Sequence, residues 1–174
     1  MKGSLLIKNR QRTRPLNTRL LRTFTRVLLR ELLGLETFDL VIYIVQAPEM
    51  TALNETFLHH NGSTDVITFD YSDNVLPASC RQIKPGLPAG CRKHIHGEIF
   101  ICIDDAISQA RQFRASWTNE LARYVIHGIL HLHGFDDLQA ADRRKMKREE
   151  NRLLRNAARL FPLSKFAAAV KLAP

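Results

Sequence analysis

The sequence contains no apolar run that approaches the roughly 18 to 20 residues needed to cross a bilayer. Its first apolar run ends at Ile7, too early for the hydrophobic region of a secretory signal. Three cysteines, Cys80, Cys91 and Cys102, are too few and too scattered for a disulfide framework, and none has the close CxxC-type partner of a redox or metal pair. We therefore expect a cytoplasmic protein with no membrane association.

Acidic residues are absent from one end of the chain. The segment from Met1 to Arg30 carries nine Lys/Arg and no acid, and the segment from Asp142 to Arg159 carries eight Lys/Arg against three acids. The stretch between them has seven Lys/Arg against fourteen Asp/Glu. An acidic centre is suited to a cation site and basic ends to a polyanion such as RNA, although solvated helical faces would carry the same charge.

Length and composition indicate one globular domain. The chain has 174 residues, of which 45% are hydrophobic and 25% charged, which is close to the average for folded domains and excludes wholesale disorder. We expect a single domain over residues 1–174, with residues 1–14 and 161–174 at its periphery.

The spacing of apolar residues predicts an α+β fold. Four strands, beginning near Leu5, Phe38, Asp65 and Ile95, are expected to form a single mixed sheet with about five helices packed over it. The Pro/Gly-rich stretch from Ser72 to Arg92 is predicted to be an irregular loop. The helices are predicted from Pro15 to Gly34, from Glu49 to His60, from Asp104 as N-cap to about Arg114, from Trp117 to Leu132 with Ser116 as N-cap, and from Leu138 onward.

The stretch HGILHLHGFDD, residues 127–137, is the most informative for chemistry. His127 and His131 are four residues apart on a predicted helix, so both imidazoles can reach one metal ion of the zinc kind. Gly134 ends the helix, and Asp137 could supply a third ligand from the returning loop. Three protein ligands leave a fourth position for a metal-bound water, as in catalytic zinc sites. Paired histidines on a helix are also common as polar surface or hydrogen-bonded core residues.

The neighbouring residues limit the chemistry of this site. His133 is nearly opposite His131 on the helix, and Asp136 is a weaker candidate than Asp137 for the third ligand. The helical zinc peptidases carry a glutamate after the first histidine as general base, whereas Gly128 occupies that position here. Peptide hydrolysis by that route is therefore disfavoured, and the general base is not identified. The remaining histidines are weaker candidates: His59, His60, His94 and His96.

Three segments together resemble one known family. HGILHLHGFDD resembles the HGxLHLxGYDH signature of the YbeY-type endoribonucleases, which are rRNA maturation factors. LNETFLHHNGSTDVITFDY (residues 53–71) is similar to the family pattern LNxxYRxKDxPTDVLSF, and GEIFICIDDAISQA (residues 97–110) to GDIxISxDxAxxQA. Met146 and Glu150 fall where the family has M-x-x-x-E. The matching segments cover roughly residues 39–150 in the same order.

The resemblance implies that His127 and His131 bind one Zn²⁺ ion. The third ligand of the family is usually histidine, and Asp137 stands at that position here. Two histidines and one carboxylate also suit Fe²⁺ or another divalent metal. We expect the carboxylate to make the metal-bound water less acidic than three neutral imidazoles would.

The family pattern also has an arginine that is thought to hold RNA phosphate, and Leu58 occupies its place. The loop from Ser72 to His96 looks longer than is usual in the family, and its cations could border the cleft: Arg81, Lys84, Arg92 and Lys93. The candidates for RNA binding are His59, His60, Arg143, Arg144 and Lys147.

The resemblance implies a metal-dependent endoribonuclease that cleaves single-stranded RNA in 16S rRNA 3′-end maturation and ribosome quality control. Its expected partners are rRNA and the small ribosomal subunit, with no nucleotide cofactor. A ribosome-assembly factor with a structural metal and little nuclease activity is the alternative, which Asp137 and Leu58 favour slightly. A zinc peptidase is a distant third possibility because of Gly128.

Overall fold

A computed structural model describes residues 3–72 and 94–168 of the chain. Within these ranges it contains one mixed four-stranded sheet and five α-helices, which confirms the predicted α+β class. Except for Ser72, the predicted loop from Ser72 to Arg92 lies outside the described residues. The same is true of Lys93 and of Cys80 and Cys91.

The four predicted strands form one sheet in the order β1-β2-β4-β3. Strand β2 lies parallel to both β1 and β4, whereas β3 at the edge is antiparallel to β4. A parallel pair needs a crossover connection, and helix α1 supplies it between β1 and β2. The strands are β1 (Gly3–Asn9), β2 (Thr37–Val45), β3 (Val66–Asp70) and β4 (His94–Cys102).

The helices agree with the sequence pattern except at some ends. Helix α3 begins at Ile103, so the prediction that Asp104 caps it is wrong. The Asp104 carboxylate instead accepts a 2.8 Å hydrogen bond from the backbone N–H of Ala47, at the start of α2. The helices are α1 (Thr18–Val27, continued by a π-helical turn, Leu28–Leu32), α2 (Ala47–Leu53, continued by a π-helical turn, Asn54–Leu58), α3 (Ile103–Gln112), α4 (Trp117–Leu132) and α5 (Ala140–Leu160). In the described part of the chain, no helix combines the length and apolarity that a membrane span requires.

Helix α4 lies at the centre of the larger hydrophobic core. It packs on β3 and β4, while α3 and α5 pack against it. Alternate residues of the strands, such as Ile42 and Ile99, face this core and are fully buried. The opposite face of the sheet packs on α2 through a smaller cluster that includes Tyr43, Met50 and Phe100.

Both ends of the described chain contribute to the core. Leu5 and Ile7 of β1 are buried on the sheet. A 3-10 turn follows α5 (Leu163–Phe166), and the ring of Phe166 is fully buried with its centroid 5.3 Å from that of Phe24. The last turns therefore hold α1 against the rest of the domain.

Candidate metal centre

Helix α4 positions the two histidines of the HGILHLHGFDD stretch. Its N-terminus is capped as predicted, because the side chain of Ser116 accepts a 3.2 Å hydrogen bond from the backbone N–H of Asn119. One turn separates His127 from His131, and the centroids of their rings are 4.6 Å apart. The two Nε2 atoms are 3.1 Å apart. Both histidines therefore present the same ring nitrogen to one point in space.

The turn after α4 brings a carboxylate to the same point. Gly134 has φ +94°, a conformation that glycine adopts without strain, and it ends the helix as the sequence predicts. One carboxylate oxygen of Asp137 is 3.8 Å from Nε2 of His127, and the other is 3.9 Å from Nε2 of His131. The ligand atoms of these three residues all lie within 4.8 Å of one another, and we call the three residues the triad.

Two neighbouring residues hold the loop that carries Asp137. The Asp136 carboxylate accepts hydrogen bonds from the backbone N–H groups of Asp137 (2.7 Å) and Leu138 (3.1 Å), so it shapes the turn and is not a member of the triad. The Arg143 guanidinium donates to the carbonyl oxygen of Asp137 over 2.9 Å. Arg143, considered from the sequence as an RNA-binding candidate, is thus engaged with the loop backbone.

Glu150 of α5 orients the ring of His127 by contacting Nδ1, the nitrogen that faces away from the triad. One of its carboxylate oxygens lies 3.2 Å from Nδ1 of His127, and the side chain is only 4% exposed. The other oxygen contacts the Arg123 guanidinium and, at 2.9 Å, Nζ of Lys147. Burial alone would raise the pKa of Glu150, but hydrogen bonds with His127, Lys147 and Arg123 outweigh it and lower the pKa to about 2. Glu150 is therefore ionised at neutral pH, and Nδ1 of His127 must donate to it.

The second histidine is oriented by the backbone. Nδ1 of His131 lies 3.2 Å from the carbonyl oxygen of Phe135, which can only accept. Burial, followed by the nearby His127, lowers the pKa of His131 below its ordinary value. His131 is therefore neutral at pH 7, with its proton on Nδ1 and a lone pair on Nε2.

These contacts fit a divalent metal ion. Because both Nδ1 atoms face hydrogen-bond acceptors, the Nε2 atoms of His127 and His131 are left to face each other and the Asp137 carboxylate. A cation placed between them would be bound by all three side chains. A histidine ligand whose second nitrogen donates to a carboxylate or a carbonyl is the usual arrangement at metal sites.

Gly128 brings α4 against the sheet beside the triad. A Cβ atom at this position would lie 2.7 Å from Cγ2 of Ile99 and 3.2 Å from Cγ1 of Val66. The position therefore points into the core and leaves no room for a side chain. A glutamate base of the zinc-peptidase kind could not occupy it.

The other candidates from the sequence lie outside the triad. His59 and His60 are exposed, next to the end of the π-helical turn after α2. His133 is buried, near the ring of Phe135. Leu58, at the position of the family arginine, is 45% exposed. Two further histidines lie on β4, where His94 is beside Thr37 and His96 is beside Asp39. The last two candidates, Arg144 and Lys147, are exposed residues of α5.

Sequence reasoning missed the roles of Glu150 and Arg123. Glu150 matched a family position, but nothing in one sequence says which side chain it meets. A signal was nevertheless present, because Glu150 lies four residues after Met146 and three before Leu153, on the apolar stripe of α5. A carboxylate in such a stripe needs a buried partner.

Comparisons with known proteins identify a family for this chain. The model of the family described as Endoribonuclease YbeY matches residues 6–158. Proteins named Endoribonuclease YbeY from Salinibacter ruber and Parabacteroides distasonis are 31% and 32% identical to the chain. The first match covers 70% of this chain and 71% of the relative, and the second covers 71% and 75%. The relative of the same name from Alkaliphilus metalliredigens is 26% identical, over 88% of this chain and 95% of its own length.

A solved structure has the same fold. The solution structure of TM1509 from Thermotoga maritima matches with a TM-score of 0.59 and 22% identity. The match covers 98% of this chain and 100% of the other one.

Proposed function

Because the chain belongs to the Endoribonuclease YbeY family, we propose that it is a metal-dependent endoribonuclease that hydrolyses phosphodiester bonds in single-stranded RNA. The observation that carries the proposal is the convergence of His127, His131 and Asp137, with both histidines already oriented through Nδ1. We propose one Zn²⁺ ion as the natural occupant, with Fe²⁺ as the competitor that a carboxylate ligand allows.

The chain's own residues have separable tasks in this proposal. A divalent ion bound by the triad would supply Lewis acidity for a phosphoryl oxygen and would lower the pKa of water. His127 and His131 would hold it through Nε2, while Glu150 and the Phe135 carbonyl fix the two rings. Arg143 keeps the Asp137 loop in place. No described residue is assigned as general base.

RNA binding is expected to rely on phosphate contacts. Arg144 and Lys147 of α5 are exposed, and Lys147 contacts Glu150 directly behind His127. Exposed His59 and His60 are further candidates. Phosphate contacts position a strand without reading bases, so we expect weak sequence preference and salt-sensitive affinity.

The biological setting follows from the family alone and is part of the proposal. We propose that the substrate is rRNA in 16S 3′-end maturation and ribosome quality control, in contact with the small ribosomal subunit in the cytoplasm. This setting predicts that cells with His127→Ala accumulate 16S precursors with extended 3′ ends.

The proposal is tested with purified protein and end-labelled single-stranded RNA. Cleavage should be lost in His127→Ala and in Asp137→Ala, and lost on chelation of the wild type. Glu55→Gln, which removes an exposed carboxylate outside the triad, is the matched control and should cleave as the wild type does. Equal cleavage by the triad variants and the control would refute the proposal.

A ribosome-assembly factor with a structural metal is the second candidate. The observation that favours it is Leu58, exposed where the family carries its phosphate-binding arginine. In that case His127→Ala protein that still folds should remain associated with ribosomes, and rRNA processing should be normal. A zinc peptidase is not supported, because Gly128 packs on Ile99.

A further inference from the structure

Helix α5 carries a stripe of cations on its solvent side. Lys145, Arg148, Arg152 and Arg155 follow one another at intervals of three and four residues, so they lie on one face of the helix. That face is opposite the buried one, which contacts α4. The buried residues are Met146, Glu150, Leu153 and Ala157.

The stripe borders a shallow groove of about 460 Å³. Its lining includes Phe135, whose carbonyl oxygen lies 3.2 Å from Nδ1 of His131. The groove is therefore lined both by the loop that leads to Asp137 and by the outer face of α5. We call it the α5 groove; its other lining residues are Lys145, Arg148, Glu149, Asn151, Arg152 and Arg155.

The charge of the α5 groove is only partly neutralised. Glu149 pairs with Arg152, and Asp142 pairs with Lys145. Arg148 and Arg155 form no ion pair with any residue in the ranges that the structure describes. Like charges three and four residues apart on a helix repel each other, so the stripe destabilises an isolated α5 and is relieved by a bound anion.

We propose that the α5 groove binds the sugar-phosphate backbone of the RNA strand that flanks the bond held at the triad. The inference rests on the proposed ribonuclease function, and it adds a binding site on the face of α5 that points away from Glu150. Arg155 comes ten positions after Lys145 on the helix, which is a rise of about 15 Å at 1.5 Å per residue. A groove of that length contacts more than one phosphate of an extended strand. Long RNA is therefore bound more tightly than RNA that reaches only the triad.

The test compares two double variants that remove the same charge. Arg148→Gln/Arg155→Gln changes the unpaired cations of the α5 groove, and Arg12→Gln/Arg111→Gln changes two exposed cations elsewhere on the domain. Binding of oligouridylate of about 30 nucleotides, longer than common single-strand sites, and of hexauridylate is measured by fluorescence anisotropy at several salt concentrations.

For the groove variant we expect the long RNA to bind at least tenfold more weakly, with most of its advantage over hexauridylate lost. The slope of log affinity against log salt should become shallower by up to about 1.4, because each single-strand phosphate contact contributes about 0.7. Arg148→Lys/Arg155→Lys keeps the charge and should retain most of the affinity. Equal losses in the groove and control variants would overturn the inference, since they would reflect net charge alone.

Two further outcomes separate this inference from the proposed function. A wild type that binds long RNA through the groove but cleaves none would refute the nuclease and leave the groove standing. A groove variant that binds long RNA normally, yet no longer binds vesicles containing phosphatidylserine, would overturn the inference in favour of a membrane surface.

Discussion

The carboxylate of Glu150 on α5 lies 3.2 Å from Nδ1 of His127 on α4, and this contact ties the basic helix to the candidate metal centre. The remaining carboxylate oxygen of Glu150 is occupied by Arg123 and Lys147, so the group stays ionised although it is buried. The basic C-terminal segment therefore has a role inside the site as well as on the surface.

Replacing Glu150 should weaken metal binding. In Glu150→Gln the acceptor that fixes the His127 ring loses its charge, and loss of such a partner typically reduces metal affinity or activity by about 10- to 100-fold. Zinc affinity is measured by competition with a chelator of known affinity. Glu149→Gln is the control, because Glu149 pairs with Arg152 and is outside the triad contacts. Similar affinities for the two variants would show that Glu150 does not position His127.

The same carboxylate predicts a pH dependence of stability. Its pKa is lowered from 4.5 to about 2 in the folded state, so the ionised form stabilises the fold above pH 4.5, and this contribution is lost as the pH falls toward 2. A shift of this size corresponds to a contribution on the order of 3 kcal/mol. Urea unfolding is measured between pH 2 and 4.5 in the presence of chelator. As the pH falls, the free energy of unfolding should decrease more steeply for the wild type than for Glu150→Gln. Parallel curves for the two proteins would contradict the lowered pKa of Glu150.

Gly128→Ala should destabilise the protein. The added Cβ would lie 2.7 Å from Cγ2 of Ile99. Overpacking of this kind costs about 1–3 kcal/mol, which exceeds the stabilisation expected from the higher helix propensity of alanine. The penalty should shrink in an Ile99→Ala background, where the opposing methyl group is absent. Urea unfolding of the wild type, the two single variants and the double variant gives the interaction energy between positions 128 and 99. A Gly128→Ala protein as stable as the wild type would show that α4 does not pack this closely.

Asp137→His should keep the site and change its charge. A neutral imidazole leaves more of the metal's positive charge uncompensated than a carboxylate does, so water at the site should be more acidic. The part of the pH–rate profile in which RNA cleavage becomes faster with rising pH should therefore shift to lower pH. One zinc ion should still be bound per chain. An unchanged pH profile with zinc bound would show that Asp137 is not a ligand.

Local features were predictable from the sequence because they depend on neighbours along the chain. The four strands follow from alternating or continuous apolar runs. Helix α4 is bounded by Ser116, whose side chain caps its first turn, and by Gly134, whose positive φ ends it. The spacing of His127 and His131 specifies a shared face once a helix is assumed. Asp137 could be proposed because Gly134 reverses the chain within a few residues.

Long-range pairings were not predictable from one sequence. The sheet order, with β4 between β2 and β3, depends on which strands meet across some 50 residues. Asp104 has the composition of an N-cap, yet it bonds to Ala47 because β2 and β4 end side by side. Glu150 meets His127 only because α5 packs on α4.

The most direct test of the account is a zinc titration of metal-free protein in which bound zinc and RNA cleavage rate are measured in the same samples. We predict that the rate rises in proportion to bound zinc and levels off at one ion per chain. Asp137→Ala should show both weaker binding and a lower rate. A metal-free protein that cleaves RNA as fast as the zinc-loaded one would contradict the account.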